Sequence, residues 1–352
     1  MKSSVHFSGS WNLLTLSLAV LFALPFFSLI VTAGSGGENV WGHLLSTVMP
    51  GYLKNTFWLM LGVGSGTLLL GVSTGWLISM TEFPGRRMME WALLLPLAFP
   101  GYIIAMVYVE LLEFSGPVQE QLRLWFGWQN YMDYWFPPIA SLGGAITMLS
   151  LVLFPYVYLL ARTAFLQQSA TLMEASRMLD KSAVNSFFMI ALPLARPAIV
   201  VGVSLAMMET LADFGTMQLF AVQTFTTGIY NTWFGAYNAP GAAQLSLSLL
   251  TFISFFIFLE RYSRKQQRFN TQSSIKNVHT RYHLSGVRAV LALLFCIFPV
   301  LFGFALPAGL LIQWATESWR VVMLDRFFSD AGNSILLAGV TALLGVFIGL
   351  LM

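Results

Sequence analysis

The chain has 352 residues, of which 57% are hydrophobic and only 9% charged, with a formal net charge of +3. Soluble domains carry roughly 25% charged residues, and a core surrounded by water has no use for so much apolar surface. The composition therefore excludes a soluble enzyme or nucleic-acid binder and gives an all-α polytopic membrane protein, its net charge bearing on orientation. The single Cys296 lies in an apolar run, so there is no disulfide framework and no cysteine metal site.

Segment 1 covers about Leu13 to Val31. Val31-Thr32-Ala33 could serve as a cleavage site, but the apolar run exceeds the roughly 7–15 residues of a signal peptide. A retained span is expected. After a Gly-rich loop holding Trp41, segment 2 runs from Asn55 to Met80, where Gly71 and Gly75 put two small residues on one face for close helix packing. A short turn, Phe83-Pro84-Gly85-Arg86-Arg87, leads to segment 3, Trp91 to Leu112. Pro96 and Pro100 should kink that segment.

Residues 113–137 read as an aromatic, largely uncharged loop, and segment 4 spans about Pro138 to Leu160. Segment 5 runs from Phe187 to about Met208, followed by a less apolar stretch to Gly228 without Lys or Arg. Segment 6 is about Ala242 to Leu259, segment 7 Arg288 to Trp314 and segment 8 Asn333 to Met352. About eight transmembrane helices are thus expected. Trp and Tyr gather near segment ends (Trp58, Trp91, Trp128, Tyr134), as interfacial belts require.

Basic residues set the orientation. With the N-terminus cytoplasmic, the inner side receives fourteen Lys and Arg and the outer side only Lys54, Arg123, Arg320 and Arg326. That bias places the loop between segments 4 and 5, at about 163–186, in the cytoplasm.

This loop is a rare polar interval in the chain. Glu174 to Leu179 reads as a short helix, with Ala175, Met178 and Leu179 on one apolar face. Ser182 can cap a second helix, and Pro193 and Pro197 bend or restart the chain as it re-enters the membrane. Glu174-Ala175-Ser176, then Asp180, Ile190, Leu192 and Pro193, fall on the register E-A-A-x3-G-x9-I-x-L-P. That register resembles the permease subunits of binding-protein-dependent ABC importers, where the loop docks in a groove of a separate ATPase subunit. Ser176 replaces an Ala, and Asp180 replaces a Gly where a left-handed residue is expected. Asp enters that region at modest cost. The bland alternative is an ordinary amphipathic loop.

An internal repeat accompanies the motif. Asn55-Thr56 with Gly71-x3-Gly75 is echoed by Asn333-Ser334 with Gly345-x3-Gly349, and Pro25 in segment 1 by Pro299 and Pro307 in segment 7. Two Gly-rich membrane helices can also look alike by chance. With the first motif, the pattern resembles fused permeases holding two six-helix halves. The organisation expected is a first unit at 1–260, a basic cytoplasmic linker at 261–286 and the first two helices of a second, incomplete unit at 287–352. A chain without the second coupling loop is expected to need the missing half or another permease to work.

No G-x4-G-K-[ST] occurs, so ATP and Mg chemistry is expected in the partner ATPase and no cofactor on this chain. His279 and His283 stand i, i+4 in a polar linker and read as a solvated joint rather than a metal site. Glu110, Glu113, Glu209 and Asp213 lie near the outer membrane boundary and are candidates for the substrate path, because ionisable groups in lipid are costly. The alternative is that they reach water where their spans end. Ala212-Asp213-Phe214-Gly215-Thr216, Thr224-Phe225-Thr226-Thr227-Gly228 and Phe83-Pro84-Gly85-Arg86 resemble the ferric-iron branch of these permeases. That resemblance implies delivery of Fe(III) by a periplasmic binding protein, at a bacterial inner membrane, and oxygen ligands suit that hard cation. Permeases for thiamine, polyamines and phosphonate share the coupling register. A secondary transporter, a membrane-embedded enzyme or an inactive remnant are the competing classes. Against the first, the middles of segments 2, 4, 6 and 8 carry no charge.

Overall fold

The computed structural model describes residues 9–35, 42, 46–168, 183–264, 281–318 and 324–351. It is helical almost throughout. Among the described residues, seven stretches are long and apolar enough to cross a membrane: Thr15–Gly34, Met49–Met80, Gly101–Phe126, Leu142–Leu166, Phe187–Ala212, Val287–Ser318 and Arg326–Leu350. The expected segment 6 is the helix Ala239–Arg264, whose apolar part, Ala239–Phe255, is shorter. In lipid every backbone polar group must be satisfied within the segment, which is why the spans are helices.

The bundle is built on α2 (Met49–Met80) against α6 (Leu142–Leu166), where α1 denotes Gly9–Gly34, α3 Arg86–Ala92, α4 Gly101–Leu112 and α5 Pro117–Phe126. Gly62, Gly66, Gly71 and Gly75 of α2 all face α6. A Cβ at Gly71 would stand 2.8 Å from the Tyr158 amide nitrogen and 2.9 Å from the Phe154 carbonyl oxygen. Helices in lipid gain nothing from apolar contact as such, so close approach through small residues is what binds them. The sequence pointed to Gly71 and Gly75; the structure adds Gly62 and Gly66 and identifies the partner helix. From the other side α7 (Leu192–Ala212) packs on α6 through Gly202, whose Cβ would lie 2.8 Å from Val157 Cα. Phe154, Tyr158 and Phe165 are fully buried where these helices meet.

Prolines break the helices more sharply than a kink. Segment 3 becomes three pieces: α3, a 3-10 turn Leu95–Ala98, and α4. Phe99 is forced extended (φ −102°, ψ 130°), as the residue before a proline tends to be. Pro193 and Pro307 are handled another way. Each is preceded by a π-helical turn, Phe187–Ala191 and Leu301–Ala305, that ends two residues earlier. Proline lacks an N–H and clashes with the carbonyl four residues back, and the wider turn relieves the mismatch. One carbonyl in the second π turn, that of Phe302, accepts the Tyr108 hydroxyl at 2.5 Å.

Residues 113–137 are not simply a loop, since they contain α5. After α7 come two short helices, α8 (Gly215–Leu219) and α9 (Phe225–Tyr230), and then α10 (Ala239–Arg264). The chain resumes at residue 281 with a two-residue strand, β2 (Tyr282–His283), paired in parallel with β1 (Thr81–Glu82). Next, α11 (Val287–Val300), the π turn and α12 (Leu306–Ser318) pack on the first part of the chain; a Cβ at Gly303 would lie 2.7 Å from the Leu151 carbonyl. The last helix, α13 (Leu324–Leu351), stands apart, while α1 packs on α10, where Gln244 donates to the Ala33 carbonyl at 3.0 Å, and no residue of either apolar window is buried.

Candidate functional site

The coupling register falls largely on residues whose structure is not described. Glu174, Ala175, Ser176, Met178, Leu179 and Asp180 lie outside the described residues, whereas Ile190, Leu192 and Pro193 sit at the π turn and the start of α7. The two stems of the loop are tied together. Buried Gln168 donates its side-chain amide to the Ala191 carbonyl at 2.8 Å, tying the exit of α6 to the entry of α7. Trp76 of α2 lies between Phe165 and Phe187, with ring centroids 5.5 and 5.0 Å away.

Beside these stems is a cluster of ion pairs. Arg86 is buried, at 6% exposure, and meets Glu82 at 3.2 Å, Glu90 at 3.4 Å and the Ile78 carbonyl at 3.1 Å. The other carboxylate oxygen of Glu90 pairs with Arg162 of α6, and the Glu90 carbonyl accepts the Tyr158 hydroxyl at 2.9 Å. Arg281 reaches Glu82 at 3.4 Å and the Ser79 carbonyl at 3.3 Å. Glu82 and Glu90 stand four residues on either side of Arg86, whereas Arg162 and Arg281 come from distant parts of the chain, and nothing in the sequence pointed to them.

The four candidate acidic residues do not converge. Glu110, Glu113 and Glu209 are exposed side chains on the last turns or caps of α4 and α7. Asp213 is half-buried and engaged: its carboxylate accepts the Thr216 amide at 2.8 Å and the Thr216 hydroxyl at 2.6 Å, and Thr226 donates to its backbone carbonyl at 3.2 Å. Its neighbours explain two glycines. A Cβ at Gly101 would stand 2.8 Å from Asp213 Oδ2, and one at Gly215 would stand 2.8 Å from Tyr102 Cβ. Thr224 and Thr227 form a reciprocal capping box at the start of α9, and Gly228 makes room for the Tyr52 ring. Much of the Ala212–Gly228 wording is thus accounted for by local folding. Among the described residues no group of three His, Cys, Asp or Glu is placed to hold a metal ion.

At the same end of the bundle, the 113–141 segment forms a rigid aromatic platform. Arg123 lies 4.1 Å over the Phe114 ring and donates to the Phe114 carbonyl (2.7 Å) and to the Tyr134 hydroxyl (3.2 Å). Tyr134 in turn donates to Gln119 at 2.6 Å and stacks on Trp128. A cleft of about 430 Å³ opens here, lined by Glu113, Phe114, Tyr131 and Trp135 among others. Asp133 accepts the amides of Gln129 and Asn130, both at 2.8 Å, and these bonds hold its carboxyl below the usual value of 3.8.

A protein family described as "Binding-protein-dependent transport system inner membrane component" matches residues 67–268, more than half of the chain. The chain belongs to this permease family. It is similar to the "Fe(3+)-transport system permease protein FbpB 2" of Haemophilus influenzae, at 27% identity over 340 residues, 95% of this chain and 62% of the length of that protein. This permease is also similar to the "Molybdenum transport system permease protein ModB" of Escherichia coli, at 29% identity over 210 residues, 57% of this chain and 88% of that protein. In fold it matches the bacterial alginate ABC transporter solved in complex with an alginate-bound periplasmic protein. The TM-score is 0.57 at 16% identity, covering 75% of this chain and 96% of that one. The permease is therefore an all-α, multi-pass membrane protein of the binding-protein-dependent transport family. Glu110, Glu113, Glu209, Asp213 and the whole loop at 163–186 fall inside the family's span.

Proposed function

We propose that this permease passes ferric iron from a periplasmic binding protein to the cytoplasm, driven by a separate ATPase that grips the loop at 163–186. The observation that carries the substrate is the similarity to a ferric-iron permease along 95% of the chain, against 57% for the molybdenum permease. The acidic candidates Glu110, Glu113, Glu209 and Asp213 do not converge on one point, so the substrate reading rests on that similarity rather than on a ligand set.

In this reading ATP and Mg belong to the partner, and this chain binds no cofactor. The protein lies in a bacterial inner membrane with its N-terminus cytoplasmic. Residues 1–260 form one permease unit, 261–286 the joint and 287–352 the opening of a second. Molybdate is the second reading, favoured by the match to the molybdenum permease over 88% of its length. The deciding experiment measures uptake of radioactive Fe(III) and of radioactive molybdate in cells whose other transporters for both have been deleted. Fe(III) uptake that depends on this chain, with molybdate uptake unchanged by it, is expected. The opposite result assigns the oxyanion.

A further inference from the structure

The ion pairs beside the loop stems form one line of alternating charge, Arg281–Glu82–Arg86–Glu90–Arg162. Its ends belong to parts of the chain far apart in sequence. Arg162 stands near the end of α6, the helix that runs into the loop, and Arg281 begins the strap that leads through β2 into α11. Each carboxylate is shared. Glu82 Oε2 serves both Arg86 and Arg281, and Glu90 gives one oxygen to Arg86 and the other to Arg162.

The middle of the line is fixed and one end is yielding. Arg86 is buried and holds two carboxylates and a carbonyl, so moving it would strand a buried charge. The Arg281–Glu82 pair is about one-third exposed on both sides, where an ion pair forms and breaks at little cost. The strap is also held by its backbone: Leu284 donates to the Glu82 carbonyl at 3.0 Å, beside the parallel pairing of Glu82 with His283. The wording Tyr282-His283-Leu284-Ser285-Gly286 before α11 shares His, Ser and Gly with Val5-His6-Phe7-Ser8-Gly9, where α1 begins.

We propose that Glu82 and Glu90 are positioning residues that hold the root of the coupling loop in register with the 281–284 strap, so that a pull on the loop is delivered to the second part of the chain. The inference rests on the coupling reading above. A displaced Arg162 changes the hold of Glu90 on Arg86. Because Arg86 cannot leave, the displacement passes through it to Glu82 and the strap.

The test uses the full chain assembled with its ATPase and binding protein in proteoliposomes, at matched permease content. Fe(III) taken up is measured per ATP hydrolysed. Glu90→Gln and Glu82→Gln should each lower this ratio about fivefold or more, the low end of typical coupling between sites. The double variant should be no worse than the poorer single, because both cut the same line. Arg162→Lys, which keeps the charge, should retain most of the ratio, whereas Arg162→Gln should not. If Glu90→Gln fails to accumulate, Arg281→Gln at the exposed end decides, and it should lower the ratio at normal abundance. Unchanged ratios in the folded variants, or losses explained wholly by abundance, overturn the proposal and leave plain structural ion pairs. A wild-type assembly whose ATP hydrolysis does not respond to the Fe(III)-loaded or molybdate-loaded binding protein would instead remove the coupling reading beneath it.

Discussion

Asp213 shows how one side chain can serve folding and remain a candidate for transport. Its carboxylate accepts both the amide and the hydroxyl of Thr216 and thereby caps α8. Asp213→Asn keeps an acceptor for the Thr216 amide and removes the charge, so abundance should hold while Fe(III) uptake falls. Asp213→Ala loses both bonds; loss of a cap costs about 0.5–2 kcal/mol, and abundance and uptake should fall together. Uptake per amount of membrane protein checks both, and undiminished uptake by Asp213→Asn would leave the cap as its whole role. Asp133 gives a pH-dependent case. Two amides hold its carboxyl below 3.8, so its contribution to the 128–134 turn is complete above that value and is lost as pH falls through the lower, folded value. Exchange of the Gln129 and Asn130 amides should therefore show extra acceleration below about pH 4, and Asp133→Asn should abolish that pH dependence. The acidic positions were readable as rare charges in an apolar chain, but the cap was not. The Asp213–Thr216 bonds are local, three residues apart, but Gly101 meets them only through the contact between α4 and α8, which no local spacing announces.

At the scale of the helix, lipid makes spans easy to read and their interruptions hard. Segment 4 could be placed from hydropathy, at about Pro138 to Leu160 against the helix Leu142–Leu166, because hydrocarbon demands an unbroken helix. The short pieces escaped. The helix α5 does carry end signals, Pro117 at its first position and Gly127 in the left-handed region (φ 72°) just past its end, but the aromatic crowding of 113–137 reads more loudly as an interface. The π turns before Pro193 and Pro307 have no period to detect. The β1–β2 pairing is two residues long and joins positions about 200 apart, beyond any local pattern. The glycine face of α2 yields a test. Gly71→Val places carbon against the Tyr158 amide and Phe154 carbonyl, which are backbone atoms unable to step aside. Overpacking of this kind costs about 1–3 kcal/mol, and thermal unfolding in detergent should shift accordingly. Gly345→Val on exposed α13, with nothing within 4 Å of the added carbon, should leave the unfolding temperature unchanged.

On the scale of the whole molecule, the permease is a packed body formed around α2, α6 and α7, with α11 and α12 fastened on, α1 laid against α10 and α13 standing apart. The apolar faces of α1 and α13, including Phe22, Phe27, Leu336 and Phe347, are exposed. The coupling proposal is tested here, because it concerns the assembly. Glu174→Lys or Ala175→Trp should spoil the fit of a helix in the ATPase groove and lower uptake at least tenfold, the cost of roughly 1.4 kcal/mol of lost docking. Copurification of the ATPase reports the lost docking directly, and intact copurification with intact uptake would defeat the idea. The loop motif was legible before any geometry, because its spacing survives in the letters alone; of the ion pairs around its stems, those to Arg162 and Arg281 are legible only in three dimensions.

The bond from Gln168 to the Ala191 carbonyl has a mechanical meaning. It clasps the two stems where the chain leaves α6 and re-enters α7, so a displacement of one stem is shared with the other, and Trp76 with its flanking phenylalanines serves both as a bearing.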